Sequence, residues 1–225
     1  MGARGRPRGF DRDTALRKAM ETFWRNGYEG ASMSDLTTAM GIASPSIYAC
    51  FGSKEQLFRQ AVELYGAIEG DRPRRALEQA PTAREAVHGM LTANADTLAD
   101  PATPPGCMIV LAAAAGTTKN AGIQAFLAER RRDMHTAILA RLQRGASDGD
   151  LSGGADTAAM AAFYTTVLQG MSIQARDGAS RADLDVIIAS AMAAWDPLGH
   201  ASDLRAGPGV DHPCGRRAPE ASRSD

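Results

Sequence analysis

Hydroxyl groups gather between residues 32 and 54 of this 225-residue chain: Ser32, Ser34, Ser44, Ser46 and Tyr48, with Lys54 just beyond them. Pro45 and Ala49 keep the intervening positions small. Short hydroxyl side chains bring a backbone close to phosphate oxygens and base edges, where they donate and accept hydrogen bonds. An ammonium at a helix start reaches a phosphate with help from the positive end of the helix dipole. Upstream, Arg4, Arg6 and Arg8 precede the first acid, Asp11. Such a basic arm suits an adjacent minor groove. Charge is distributed accordingly: residues 1–60 hold nine Lys/Arg against six Asp/Glu, although the whole chain carries a net charge of −1. One end of an acidic body therefore looks made for a polyanion.

A second reactive group stands apart. Cys107 follows Pro104-Pro105-Gly106 and opens a short apolar stretch. A thiol at a helix N-terminus is a better nucleophile, so Cys107 is either a small buried hydrophobe or a group that oxidants and electrophiles modify. Cys50 reads as a spacer, with modification of its thiol the other possibility. Three cysteines, far apart and odd in number, imply no disulfide framework. His88, His135, His200 and His212 lack metal-ligand spacing, and Cys107 with Met108 offers only two adjacent soft sulfurs, so neither metal nor cofactor is expected. The phosphate-binding Gly-x-x-x-x-Gly-Lys loop, the Gly-x-Ser-x-Gly elbow, His-Glu-x-x-His and Gly-x-Gly-x-x-Gly are all missing. Nothing brings Cys107 to His135, and no enzyme is expected. A helical interaction module without DNA would have to leave the arginine arm as mere solvated surface.

The elements that must position these groups are helical. The chain is rich in Ala, Leu, Met, Arg and Glu and lacks sustained alternating β-branched runs. Ser32-x-x-Asp35, Ser53-x-x-Gln56, Thr82-x-x-Glu85 and Ser180-x-x-Asp183 fit capping boxes, and Ser44-Pro45 fits an N-cap followed by proline. Periodicity predicts helices near 12–27, 33–40, 45–51, 54–70, 82–99, 106–116, 121–145, 155–176 and 181–196, an all-α fold. Gly41 allows a tight turn between two short helices, with Met33, Leu36, Met40, Ile47 and Phe51 facing inward. That is a helix-turn-helix, whose second helix enters the major groove of double-stranded DNA. The longest apolar run, Met108–Ala115, is far short of the ~20 residues that span a bilayer, so no membrane contact and a cytoplasmic location are expected.

Residues 5–65 resemble the N-terminal domain of the TetR family of bacterial transcriptional regulators. The likeness rests on Ala15–Gly30 with its Gly-Tyr-x-Gly ending, on Ser34–Gly41, and on Ile42–Phe58 with Tyr48 and the Phe51-x-x-Lys54-x-x-Leu57 spacing. The resemblance implies a homodimeric repressor that a small-molecule effector releases from a palindromic operator. Its organisation would be a basic arm (1–9), a DNA-binding head (10–53), an effector and dimerisation body (54–197) with a linking helix (54–70), and a disordered tail (198–225). Ser44, Pro45, Ser46, Tyr48 and Lys54 become DNA contacts, and Ser32 and Ser34 phosphate contacts. Ala49 and Cys50 stand where the family often carries an aromatic or His. Val167, Met171, Leu184, Ile188, Met192 and Trp195 would meet a second copy across a four-helix interface. Met90, Leu91, Leu98, Cys107, Met108, Leu111, Phe126, Met134, Phe163 and Tyr164 would line a pocket for an apolar or electrophilic effector.

Overall fold

A computed structural model describes residues 10–114, 120–152 and 154–199. Arg4, Arg6, Arg8 and residues 200–225 lie outside the described residues; the tail expected to be disordered from 198 begins later, because Leu198 and Gly199 close α11 and Leu198 packs on the core. The described residues form eleven helices and no strand: α1 (Arg12–Gly30), α2 (Met33–Met40), α3 (Ser44–Phe51), α4 (Lys54–Ile68), α5 (Asp71–Gln79), α6 (Ala83–Leu98), α7 (Met108–Ala114), α8 (Ala121–Asp148), α9 (Thr157–Arg176), α10 (Arg181–Ala193) and α11 (Trp195–Gly199).

All four capping boxes form. Ser32, Ser53, Thr82 and Ser180 each accept from the backbone N–H three residues on, and Asp35, Gln56, Glu85 and Asp183 reach back to the cap. Each satisfies two orphan donors of a helix start, which makes these four boundaries local in origin. The start of α3 differs from expectation. Ala43 is its N-cap, Ser44 is already helical, and no side chain caps it. Gly41 closes α2 in the left-handed conformation (φ 70°, ψ 25°), its N–H bonded to the Thr37 carbonyl. Gly27 (φ 70°, ψ 177°) kinks α1 so that Tyr28 folds back against Phe58, ring centroids 5.1 Å apart.

Helix α5 was not foreseen. Its sequence, DRPRRALEQ, buries only Pro73 and Leu77, one helical turn apart, in a run so charged and proline-bearing that it reads as a linker. Helix α8 runs on to Asp148 before Gly149 (φ 81°) stops it, and α11 is a separate turn after Ala194.

Two apolar cores result. One joins α1–α4 and also takes Met108, Ala112, Ile123, Phe126 and Leu127 from α7 and α8. The other packs α5, α6 and the middle of α8 against α9–α11. At ~1.5–3 kcal/mol for each fully buried large aliphatic side chain, Leu36, Ile47 and Leu57, all fully buried, hold the α2–α3–α4 angle.

Candidate nucleic-acid interface and ligand cavity

Helix α3 turns Ile47 and Phe51 into the first core, which forces its opposite face outward. On that face Tyr48 is 51% exposed, with Pro45, Ala49 and Cys50 exposed and Ser44 and Ser46 half-buried. No side chain caps the α3 N-terminus, where Pro45 has no N–H and the Ser46 N–H goes to the Ala43 carbonyl, so what it presents to an anion is chiefly the positive end of its dipole. Ser34 is exposed at the α2 start. Ser32 is committed locally: its hydroxyl donates to Asp35 at 2.7 Å and accepts from the Asp35 N–H. The hydroxyl's donation, joined by the Ser32 backbone N–H at 2.9 Å, holds the Asp35 carboxyl below the usual range. Lys54 is half-buried, its ammonium 4.6 Å from the centroid of the Tyr28 ring. Burial lowers its pKa and the nearby Glu29 pushes back. The kink at Gly27 therefore aims Lys54 through Tyr28, a cation–π placement.

A cavity of about 590 Å³ lies in the body, walled by α4–α9. Helix α8 contributes a stripe at helical spacing, Arg130, Met134, Ala137, Arg141 and Arg144, with Arg131 beside it. Facing it are Pro73, Arg74 and Leu77 of α5 and Tyr65 and Glu69 at the α4 end. Of the residues expected on its wall, Cys107 and Met134 are there. Met90, Leu91, Leu98, Met108, Phe126 and Tyr164 are buried in the two cores, and Leu111 and Phe163 lie off the wall. Apolar helical spacing marks a buried face without saying whether a neighbour or a void lies beyond it. The polar wall residues, Arg131 and Asn94 among them, were missed because charged residues on a helix normally read as solvated.

The cavity and the head share a wall. Trp24 of α1 donates from Nε1 to the Gly106 carbonyl at 2.7 Å, a buried bond. The Trp24 and Tyr65 rings meet edge-to-face, centroids 4.7 Å apart. Burial pushes the Tyr65 phenol well above its ordinary pKa, and the adjacent Cys107 thiol, in hydrogen-bonding contact, raises it further. Gly106 cannot be replaced freely: its φ is 81°, and a Cβ would fall 2.8 Å from the Ser172 carbonyl oxygen. Among the described residues no group of three or more His, Cys, Asp or Glu could hold a metal ion.

Two family models match the chain. The model of the bacterial regulatory proteins of the tetR family spans residues 15–61. The model of the tetracyclin repressor-like C-terminal domain spans residues 83–191. The chain belongs to the TetR family of bacterial transcriptional regulators. The HTH-type transcriptional repressor ComR of Escherichia coli (strain K12) is 32% identical over 197 residues, which cover 87% of this chain and 94% of ComR. Among solved structures, a cysteine mutant of the TetR family regulator CifR complexed with 26 bp double-strand operator DNA is 44% identical with a TM-score of 0.82. The match covers 84% of this chain and 100% of that one. A putative TetR transcriptional regulator from Rhodococcus sp. RHA1 is 36% identical with a TM-score of 0.56, covering 82% of this chain and 98% of that one.

TetR-family regulators act as dimers. Met171, Leu184, Ile188, Met192 and Trp195, expected to meet a second copy, are buried in their own chain's core. Trp195 lies 5.5 Å from the Tyr164 ring, whose hydroxyl donates to the Ala191 carbonyl. Val167 is half-buried and packs against the edge of the same core, whereas Ile173 of α9 (49%) and Val186 of α10 (67%) are exposed. The apolar stripe recognised in the sequence is the inner one. No helix among the described residues is long and apolar enough to cross a membrane.

Proposed function

We propose that this regulator is a repressor whose α3 reads a palindromic operator and whose cavity binds the small molecule that releases it. The observation that carries this is the buried Trp24–Gly106 bond, which ties the cavity wall to α1 of the head. In this reading Ser34, Ser44, Pro45, Ser46, Tyr48, Ala49 and Lys54 meet the DNA, with Ser32 holding the α2 start in place. Residues 10–53 act as the head, 54–197 as the body and 1–9 as a basic arm, with Arg4, Arg6 and Arg8 in the minor groove. Two copies pair through α9 and α10 and set their recognition helices about one DNA turn apart, ~34 Å. An effector pressing on Tyr65 or Cys107 moves α4 and the Gly106 turn, and Trp24 carries the shift to α1. A coupling of ~1–3 kcal/mol changes operator affinity roughly five- to 150-fold. The protein works in the cytoplasm, as a regulator without catalytic activity. The sign of regulation, repression, is supported by the name of the ComR relative.

The test is footprinting of the DNA flanking its own gene. Protection of a palindrome is expected, and Tyr48→Ala and Lys54→Ala should each weaken binding about tenfold with helical content unchanged. That corresponds to about 1.4 kcal/mol, within the ~1–3 kcal/mol of a good base contact. Unchanged binding in both variants would refute the assigned interface.

A second reading has its own observation: Cys107 lies on the cavity wall beside Tyr65. An electrophile entering the cavity would alkylate the Cys107 sulfur, the thiol proton leaving to solvent, and the adduct would press on the same turn. In a Cys50→Ser background, which removes the exposed thiol of α3, N-ethylmaleimide should release operator DNA, and the protein carrying Cys107→Ser as well should stay bound. Equal release from both would remove Cys107 from the mechanism.

A further inference from the structure

The cations on the cavity wall are unequally matched. Arg74 pairs with Asp71 and Glu78, both at 2.9 Å; Arg130 pairs with Asp133 at 3.2 Å; and Arg141 lies 3.8 Å from Asp150. Arg144, exposed, donates to the Glu78 carbonyl. Arg131 has no carboxylate within 4.0 Å among the described residues, and its Nη1 is buried without a hydrogen-bond partner. The Asn94 amide nitrogen, on another wall of the same cavity, is also buried and unpartnered. Arg130 Nε and Arg141 Nε and Nη1, on the same wall, are also buried without a hydrogen bond, but each of those guanidiniums has a carboxylate within 4.0 Å to balance its charge. Arg131 has none, and packed proteins rarely leave such donors without a ligand or water to fill the need. The cavity's own acids do not answer Arg131. Glu78 and Asp133 are held by Arg74 and Arg130, and Glu69, at the α4 end, is raised in pKa by burial and by Asp100, with Arg17 pulling it back. Burial likewise lowers the Arg131 pKa, and the neighbouring Arg132 adds to that.

Thr97, Gln169 and Ser172 add neutral polar groups, and apolar ones line the rest. Tyr65, Leu77, Ile109, Met134, Ala137 and Leu168 are among them. The α8 stripe from Arg130 to Arg144 spans about 21 Å at the 1.5 Å rise of a helix. An elongated apolar space with one unmatched guanidinium complements a particular kind of molecule.

We propose that the cavity takes an elongated apolar carboxylate, with Arg131 binding its carboxylate and Asn94 donating to a polar atom of the same ligand. A guanidinium fork matches a carboxylate in geometry as well as charge. The proposal names the chemical class of the effector and so rests on the reading of the cavity as the effector site.

The experiment is calorimetric titration of the full chain with sodium decanoate and with methyl decanoate, which differ only in the charged end. Decanoate should bind at least tenfold more tightly than the ester. Arg131→Gln should erase that preference, and Arg132→Gln, an exposed neighbour off the cavity wall, should leave the binding of both probes unaltered. The comparison of the two probes on the wild-type protein stands even if Arg131→Gln fails to fold. Equal binding of acid and ester, binding of the ester alone, binding of neither, or a preference that survives Arg131→Gln would each overturn the assignment. The effector reading is judged separately by operator affinity. If decanoate binds through Arg131 and the DNA complex is unmoved, the carboxylate site stands and the effector reading falls. If the ester alone binds and releases the DNA, the effector reading stands and the carboxylate assignment falls.

Discussion

Trp24 and Tyr164 are both large aromatics in buried surroundings, and each has one polar atom that had to find a partner. Trp24 found the Gly106 carbonyl and Tyr164 the Ala191 carbonyl. Trp24→Phe keeps most of the apolar contact but strands that carbonyl, at a cost of ~1–3 kcal/mol. Chemical denaturation should show that loss, and the effector-induced change in operator affinity should shrink with it. A stability loss with an undiminished effector response would make Trp24 structural only. Tyr164 adds a pH dependence. Burial pushes its phenol up to about 12, with Arg84 pulling down and Asp196 pushing up. A phenol whose folded pKa exceeds its unfolded value of ~10 contributes stability that is whole below that pH and is lost as pH rises toward the folded value. Thermal unfolding of Tyr164→Phe should therefore lose less between pH 10 and about 12 than the wild type does.

Among the elements, the turn before α7 is the most constrained. Gly106 combines a positive φ with a backbone oxygen where a side chain would go. Gly106→Ala should destabilise the chain by ~1–3 kcal/mol from the backbone conformation alone, measurable as a lowered denaturation midpoint. Insertion of the methyl should also disturb Cys107 and so alter operator affinity without any ligand. Helix starts tell a different story. The capping boxes were readable because cap and partner lie three residues apart, and the structure forms all four. Ser44 was misread as a cap because Ser before Pro is a common helix start, whereas here Ala43 takes that position. Helix α5 escaped because only two side chains, Pro73 and Leu77, mark its buried face, and the charges and proline around them look like a linker.

For the whole molecule, the inner and outer faces of α9 and α10 make opposite predictions. Val186→Arg places a charge on a residue 67% exposed. It should leave the helical content intact, convert dimers to monomers in sedimentation, and cost most of the operator affinity, since a single head reads one half-site. Leu184→Ala removes a fully buried side chain instead. It should cost ~2–5 kcal/mol of stability through the cavity it leaves, with weaker association only as a consequence. A Val186→Arg protein that remains dimeric would move the interface away from this face.

Read alone, the amino-acid sequence determined what is local or strongly patterned. That includes the all-α class, the capped helix starts, the Gly41 turn that angles α2 against α3, and the inward set of Leu36, Ile47 and Phe51 that leaves Tyr48 outside. These follow from contacts a few residues apart, or from the single choice of which face is apolar. Only the tertiary structure decided which buried residues face a neighbour and which face a void, and which side of α9 and α10 remains open. It also decided that Trp24 would meet a carbonyl 82 residues away. Hydrophobic periodicity records that a face leaves water and says nothing of what it meets. The Arg131 cavity exists because several helices fail to close on one another, and no stretch of sequence contains that gap.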